Sequence, residues 1–178
     1  MCSTDRMGPQ IVTLRPQADE DFELLYRIAA DLDSWEERGP SAPAPLTRTA
    51  YRQRFDAADP AAVSFMVCVD ERAVGRINLF DEDPLARTAE VGMALAPEAR
   101  GKGYGTAALR QIVEFGFQRR NLRRLHLIVI ASNAAAIACY GRAGFVEEGR
   151  RREHCWVRGH YEDEVLMGLL RDDWARSR

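Results

Sequence analysis

Three glycines at alternating positions form the stretch of this sequence best suited to binding chemistry. Gly101, Gly103 and Gly105 follow Arg100 and are interleaved with Lys102. Glycines let a backbone approach a ligand closely, and the free N–H groups and positive end of a following helix attract an anion. Because a strand is predicted before this stretch and a helix after it, the pattern predicts a phosphate-binding loop.

The spacing of the glycines distinguishes between the known kinds of phosphate-binding loop. A nucleotide P-loop reads G-x-x-x-x-G-K-[ST], but here Gly103 follows Lys102 where the hydroxyl residue is required. A dinucleotide-binding loop reads G-x-G-x-x-G and has an acid further on that binds ribose. Here the glycines read G-x-G-x-G, and residues 121–124 are NLRR. The P-loop is excluded, and a dinucleotide-binding oxidoreductase stays open as an alternative.

Two motifs and the C-terminal tail resemble those of one enzyme family. Residues 100–105 match [QR]-x-x-G-x-[GA], the pyrophosphate-loop pattern of the GNAT acetyltransferase superfamily. The segment from Asn133 through Tyr140 to Phe145 resembles its N-x-x-A-x-x-x-Y-x-x-x-G-F segment. Residues 148–170 are similar to the branch that contains ribosomal-protein N-terminal acetyltransferases and spermidine acetyltransferases. The resemblance covers about residues 10–170.

The resemblance implies acetyl-CoA as cosubstrate. No metal is expected, because the cysteines stand alone and have no zinc-site spacing with the histidines. The resemblance also implies that coenzyme A lies in a cleft between two splayed parallel strands, predicted over residues 88–95 and 125–130. The pantetheine arm would pair with the backbone of residues 93–95 and contact Asn133, which also stands where a helix N-cap is expected. The cofactor-binding residues so implied are Met93, Ala94, Leu95, Arg100, Gly101, Lys102, Gly103, Tyr104, Gly105, Thr106, Asn133 and Ala136.

Acetyl transfer to an amine needs two groups that handle protons. An alkylamine is mostly protonated near neutral pH because its pKa is about 10, so a base must take a proton and a donor must meet the departing thiolate. The resemblance implies Glu90 as the base, acting through water, and Tyr140 as the donor. The residues alone leave alternatives, in which Glu90 is solvated on an edge-like strand and Tyr140 packs in the core. Cys139 is predicted to pack rather than to carry the acetyl group.

Acidic residues around Trp35 suggest a cationic acceptor, and residues 81–83 form a second acidic loop. Such carboxylates would attract a polyamine, an aminoglycoside or a peptide N-terminus, although solvated surface accounts for the same residues. The acids around Trp35 are Asp31, Asp33, Glu36 and Glu37. We therefore expect an N-acetyltransferase that acts on a primary amine of a small molecule or on a protein N-terminus. A coenzyme A sensor without catalysis is the alternative.

Alternating strands and helices must position these residues. Period-two alternation and apolar runs predict strands, and apolar spacings of three and four predict helices. The predicted strands are 11–15, 63–70, 73–80, 88–95, 125–130, 145–152 and 160–170, and the predicted helices are 19–32, 46–56, 103–119 and 134–143. The fold class is α/β (α+β). The resemblance implies the GNAT fold, a mixed and mostly antiparallel sheet of about six to seven strands flanked by about four helices, with splayed parallel central strands.

Composition limits the remaining possibilities. The 178 residues are 46% hydrophobic and 29% charged, with a formal net charge of −2. This balance predicts one soluble domain over residues 1–178, with its core at about 10–170, and no nucleic-acid or membrane partner. No apolar run approaches the roughly 20 residues of a membrane span, and no secretory signal is apparent, so a cytoplasmic location is expected. The resemblance also admits a homodimer.

Overall fold

One mixed sheet organises the chain. In the computed structural model, which describes residues 10–32, 44–57 and 62–178, seven strands pair in the order β1-β2-β3-β4-β5-β7-β6. They are β1 (Val12–Pro16), β2 (Val63–Val69), β3 (Arg72–Asp83), β4 (Thr88–Leu95), β5 (Arg124–Ile130), β6 (Val146–Val157) and β7 (His160–Leu170). All neighbours are antiparallel except β4 and β5, which are parallel. This confirms the predicted mixed, mostly antiparallel sheet.

Helices cover the sheet on both faces. Within the described residues they are α1 (Phe22–Ala30), α2 (Arg48–Asp56), α3 (Tyr104–Gln118), α4 (Ala134–Arg142) and α5 (Arg171–Arg176). The first four correspond to the predicted helices, whereas six residues are too few for α5 to show a helical period. Trp174 anchors α5 against Phe117 of α3, with ring centroids 5.3 Å apart. No described helix combines the length and apolarity needed to cross a membrane.

Three predicted element boundaries are wrong. The strand predicted over residues 145–152 continues as β6 to Val157. Residues 19–21 form a separate 3-10 turn before α1, and the Asp21 carboxylate accepts hydrogen bonds from Arg15 of β1 at 2.7 Å. The turn is thereby held to the sheet rather than continuing into the helix. The predicted break after residue 80 is absent because β3 continues past an irregularity at Asp81 and resumes pairing with β4 at Asp83.

The two faces of the sheet carry different helices, since successive strand residues alternate between faces. On one face, α3 and α4 pack over the main core, and we call this the α3 face. On the other, the α1 face, Met66 and Cys68 of β2 pack with Leu25 of α1 and Tyr51 of α2. Main-core residues on the α3 face include Val67, Leu79, Val91, Leu109, Ile112, Leu127 and Val165.

The parallel strands β4 and β5 separate shortly after they meet. They pair at three positions only, and the last joins Glu90 to His126. Beyond that point β4 continues to pair with β3 and β5 continues to pair with β7. The two strands therefore diverge, and we call the opening between them the fork. The predicted splay of the central parallel strands is confirmed.

Candidate active site

The glycine loop leads from the end of β4 into the first turn of α3. Gly101 and Gly103 have φ angles of +72° and +83°, in the left-handed region, and Gly103 is the N-cap of α3. A Cβ built at either glycine meets no atom of the described residues within 4 Å. The free N–H groups at the start of α3 thus border open space. This is the arrangement in which a helix N-terminus binds an anion.

Two side-chain relationships hold the loop against the sheet. A Cβ at Gly105 would stand 2.9 Å from Met93 Cε and 3.3 Å from Cys139 Sγ, so α3 approaches β4 and α4 more closely than a side chain would allow. Arg100 Nε donates to the Leu95 carbonyl at 3.1 Å. The loop is therefore tied to the end of β4.

A cleft of about 520 Å³ follows the fork from the glycine loop to Glu90. The predicted site residues that line it are Glu90, Met93, Ala94, Leu95, Arg100, Gly101, Gly103, Tyr104, Gly105, Thr106, Asn133, Ala136 and Tyr140. Lys102 does not line it, because this exposed residue lies at the tip of the turn between the two left-handed glycines. The second wall of the cleft is formed by β5, as predicted, through Ile128 and Val129. These two residues were not singled out in advance, since the splay decides which residues of a strand border the opening.

Tyr140 belongs both to the core and to the cleft lining. It is 8% exposed, and its ring centroid lies 6.1 Å from that of Phe145. Burial, with smaller contributions from Cys139 and Glu90, raises the pKa of Tyr140 to about 12. The hydroxyl therefore keeps its proton near neutral pH and is available as a hydrogen-bond donor.

Glu90 stands where the fork opens. Its strand, β4, lies inside the sheet, and the Glu90 side chain is 20% exposed. The alternative of a solvated residue on an edge-like strand is therefore wrong. Burial, then the charges of Asp81 and Glu164, raise the pKa of Glu90, and Arg151 opposes them to a smaller degree. A carboxylate with a raised pKa is a stronger base than a fully solvated one.

His126 is the cross-strand neighbour of Glu90, with its Nε2 4.0 Å from Glu90 Oε2. Burial and the nearby Arg124 lower the pKa of His126. Glu148 and Asp81 act in the opposite direction to a smaller degree. The imidazole is thus favoured in its neutral form beside the carboxylate. The sequence does not reveal this neighbour, because a helix separates the two strands and neither strand alone determines the register between them.

The start of α4 lies across the cleft from the glycine loop. Asn133 Oδ1 accepts from the Ala136 backbone N–H at 3.0 Å, so the predicted N-cap is confirmed. Further along α4, Cys139 Sγ lies 3.3 Å from Thr106 Oγ1 of α3. Cys139 also lines the cleft, so its packing role stays a prediction.

Some of the acidic residues expected to attract an acceptor lie outside the described residues, and the others have structural partners or lie near Glu90. Outside the described residues lie Asp33, Trp35, Glu36 and Glu37. Asp31 is described and ends α1 as its C-cap. In the acidic loop, Glu82 forms an ion pair and Asp83 accepts backbone hydrogen bonds. Asp81 is the residue of that loop whose charge acts on Glu90.

Outside the cleft, charged side chains of the described residues form ion pairs rather than a metal site. Among the described residues, no group of three or more His, Cys, Asp or Glu side chains is arranged to hold a metal ion. Several arginines outside the cleft, in the basic stretches 119–124 and 150–152, are ion-paired with carboxylates. These pairs are Arg120 with Glu82, Arg124 with Glu148, Arg150 with Glu147, and Arg151 with Glu164.

The site combines a split sheet, a helix N-terminus at one end of the opening, and a buried tyrosine with a half-buried carboxylate at the other. This arrangement suits a class of protein that binds an extended, phosphate-bearing ligand. The family model described as "Acetyltransferase (GNAT) domain" matches residues 12–146. The chain belongs to this acetyltransferase family and is an N-acetyltransferase. Enzymes of the family use acetyl-CoA. The assignment replaces the dinucleotide-binding alternative.

Individual relatives agree with the family. YdaF of Bacillus subtilis (strain 168), provisionally named a ribosomal N-acetyltransferase, is 32% identical over 140 residues, which are 75% of this chain and 76% of the relative. Spermidine N(1)-acetyltransferase of Escherichia coli (strain K12) is 28% identical over 166 residues, 92% of this chain and 88% of the relative. In fold, the chain is similar to the Vibrio cholerae spermidine N-acetyltransferase crystallised with CoA and spermine. That similarity has a TM-score of 0.84 at 24% identity and covers 92% of this chain and 98% of the other.

Proposed function

We propose that the chain transfers the acetyl group of acetyl-CoA to a primary amine of a small polycationic acceptor of the polyamine kind. One observation carries the proposal: the cleft that begins at the glycine loop ends between Tyr140, which keeps its proton, and Glu90, whose pKa is raised. Spermidine acetyltransferases among the similar proteins support the same acceptor class.

The cofactor would lie along β4, where it supplies the acetyl thioester. Backbone N–H groups from Gly101 to Thr106 would bind its pyrophosphate at the positive end of α3. Past Glu90, the described chain offers β4 no strand partner on the fork side. Backbone polar groups need partners, so the backbone of residues 93–95 would pair with the amides of the pantetheine arm. Asn133 and Ala136 would border that arm from α4.

Glu90 would take the proton that the acceptor ammonium must lose, through a water molecule or directly. The half-buried carboxylate is suited to this because its pKa lies above that of a free glutamate. His126, neutral beside it, leaves the pair with no more than one negative charge.

Tyr140 would stabilise the sulfur of coenzyme A as it leaves. A thiol has a pKa of about 8.5, whereas that of Tyr140 is about 12. The hydroxyl therefore donates a hydrogen bond to the thiolate more readily than it gives up its proton. This hydrogen bond strengthens as charge develops on sulfur, so it lowers the barrier rather than only binding the ground state.

A protein N-terminus is a second candidate acceptor, favoured by the similarity to YdaF. An α-amino group has a pKa of about 7.7 to 8.0, well below that of an alkylamine. It needs less help from a base near neutral pH. Replacing Glu90 would therefore slow acetylation of a polyamine more than acetylation of a peptide.

The test is release of coenzyme A thiol from acetyl-CoA in the presence of spermidine, an aminoglycoside or N-terminal peptides. We expect the highest kcat/KM with spermidine. A peptide with a higher kcat/KM would favour the second candidate. Binding of acetyl-CoA without thiol release by any amine would overturn the proposal and favour a sensor.

A further inference from the structure

Glu164 of β7 is a buried carboxylate on the face of the sheet that carries Glu90. Residues paired across neighbouring strands project to the same face, as do residues two apart within a strand. Glu90 pairs with His126, and Glu164 pairs with Ile130, four residues further along β5. Both carboxylates therefore lie on the α1 face, one on either side of β5.

Only one of the two oxygens of the Glu164 carboxylate accepts a hydrogen bond from the described residues. Its side chain is 1% exposed, and Oε2 accepts a hydrogen bond from Arg151 at 2.6 Å. No donor among the described residues reaches Oε1, which is also shielded from solvent. Ionised carboxylate oxygens are strong acceptors, and buried ones without a donor are rare in folded proteins. The arrangement therefore points to a donor that arrives with a ligand.

The hydrogen-bond partner of this carboxylate is a movable side chain. Arg151 belongs to β6, at the edge of the sheet, and its side chain is 53% exposed. A long, largely solvated arginine can shift without disturbing the core. A cationic group that enters from the α1 face can thus reach Oε1 beside the guanidinium or in its place.

We propose that Glu164 is a second cation-binding residue of the acceptor site, which accepts a hydrogen bond from an ammonium group remote from the amine that is acetylated. The inference rests on the proposed amine acetyltransferase function and deepens it. The two residues are offset by four residues along β5, about 13 Å of strand at about 3.3 Å per residue, and they also lie two strands apart across the sheet. The two glutamate side chains span part of that separation. The acceptor is therefore a linear diamine or polyamine whose amino groups are several bonds apart, rather than a monoamine.

Electrostatics supports the same assignment. The charge of Glu164 contributes to the raised pKa of Glu90, so the two carboxylates interact across β5. Together with Asp81 they form an acidic group of which Arg151 compensates a part. A second ammonium group on the acceptor would complete that compensation.

The test compares 1,8-diaminooctane, which is long enough to reach between the two carboxylates, with octylamine, which presents the same reacting amine without the second charge. For Glu164→Gln we expect the KM for the diamine to rise roughly tenfold, the loss of one charge-assisted hydrogen bond, with little change for octylamine. Glu147→Gln is the matched control. Glu147 is also paired with an arginine of β6, but it lies opposite Met167 and therefore on the α3 face. An unchanged ratio of the two KM values in Glu164→Gln would overturn the assignment.

A second variant tests the proposal even if Glu164→Gln does not fold. Arg151→Gln keeps a hydrogen-bond donor for Oε2 but removes the compensating charge, so the KM for the diamine should fall. A purely structural ion pair predicts an unchanged or higher KM in that variant, and either result would count against the proposal.

The failure of the underlying function is recognised separately. If the parent protein releases no coenzyme A with either amine, the acetyltransferase proposal is what fails. Calorimetric titration of the diamine into the parent and Glu164→Gln proteins then decides the role of Glu164. Loss of binding in the variant supports the cation site, and equal binding refutes it.

Discussion

Replacing Gly103 by asparagine should weaken cofactor binding about a hundredfold or more while leaving the protein folded. At φ +83° the residue is in the left-handed region, and its Cβ direction leads into open space. Asparagine tolerates this conformation better than other non-glycine residues. The folding cost is therefore about 1 kcal/mol, which lowers Tm by about 2 to 4 °C for a chain of this size. Its four added heavy atoms would occupy the space where the pyrophosphate is proposed to lie.

Gly159 provides a matched control for this substitution. It has φ +89° and, like Gly103, no neighbour within 4 Å of a built Cβ. It lies in the turn between β6 and β7, away from the residues that line the cleft. Gly159→Asn should therefore have a similar folding cost and leave cofactor binding unchanged.

The assay is thermal unfolding with and without acetyl-CoA. At 100 times the dissociation constant, binding stabilises the native parent protein by about 2.7 kcal/mol, or about 5 to 11 °C in Tm. A hundredfold loss of affinity in Gly103→Asn would reduce this to about 0.4 kcal/mol, or about 1 °C. A full shift in Gly103→Asn would refute the loop assignment, as would equal losses in both variants.

Substitutions at three further positions test the rest of the site. Tyr140→Phe keeps the packing against Phe145 but removes the hydrogen-bond donor, so kcat at saturating substrates should fall by about 10² to 10³-fold with an unchanged Tm; an unchanged kcat would exclude the donor role. Glu90 has a raised pKa in the folded protein, so its ionisation costs stability as pH rises through the interval from its unfolded to its folded pKa. Glu90→Gln should therefore raise Tm at pH 7. It should also lower kcat/KM and remove the fall in kcat/KM toward acid pH. A lower Tm in a folded variant would contradict the conclusion that burial raises the pKa of Glu90. A Cβ at Gly105 would lie 2.9 Å from Met93 Cε, the flexible end of a side chain, at a cost of about 1 kcal/mol, but alanine gains about as much over a glycine in a helix. Gly105→Ala should therefore leave Tm within about 2 °C of the parent value, whereas the bulkier Gly105→Val should lower Tm; an unchanged Tm in Gly105→Val would show that α3 does not pack as closely as the structure describes.

Local patterns in the sequence determined much of the fold and the cofactor side of the site. The glycine spacing at 101–105 predicts an anion-binding loop because left-handed turns and helix N-termini are properties of a few consecutive residues. The N-cap at Asn133 and the order of strands and helices are local in the same sense. Nearly all of the implied cofactor-binding residues line one cleft for this reason, with Lys102 as the exception.

Pairing between distant strands decided the rest. Three strands bring charged or polar groups close to Glu90: β3 brings Asp81, β7 brings Glu164 and β5 brings His126. No local pattern in those strands identifies these neighbours. The continuation of β3 through Asp83 likewise depends on its pairing with β4. A strand's alternation predicts which side chains share a face, but its register against another strand is set by packing over the whole sheet. The sequence by itself therefore determined the phosphate loop and the kind of chemistry, whereas only the tertiary structure decided which charged groups surround the proposed base.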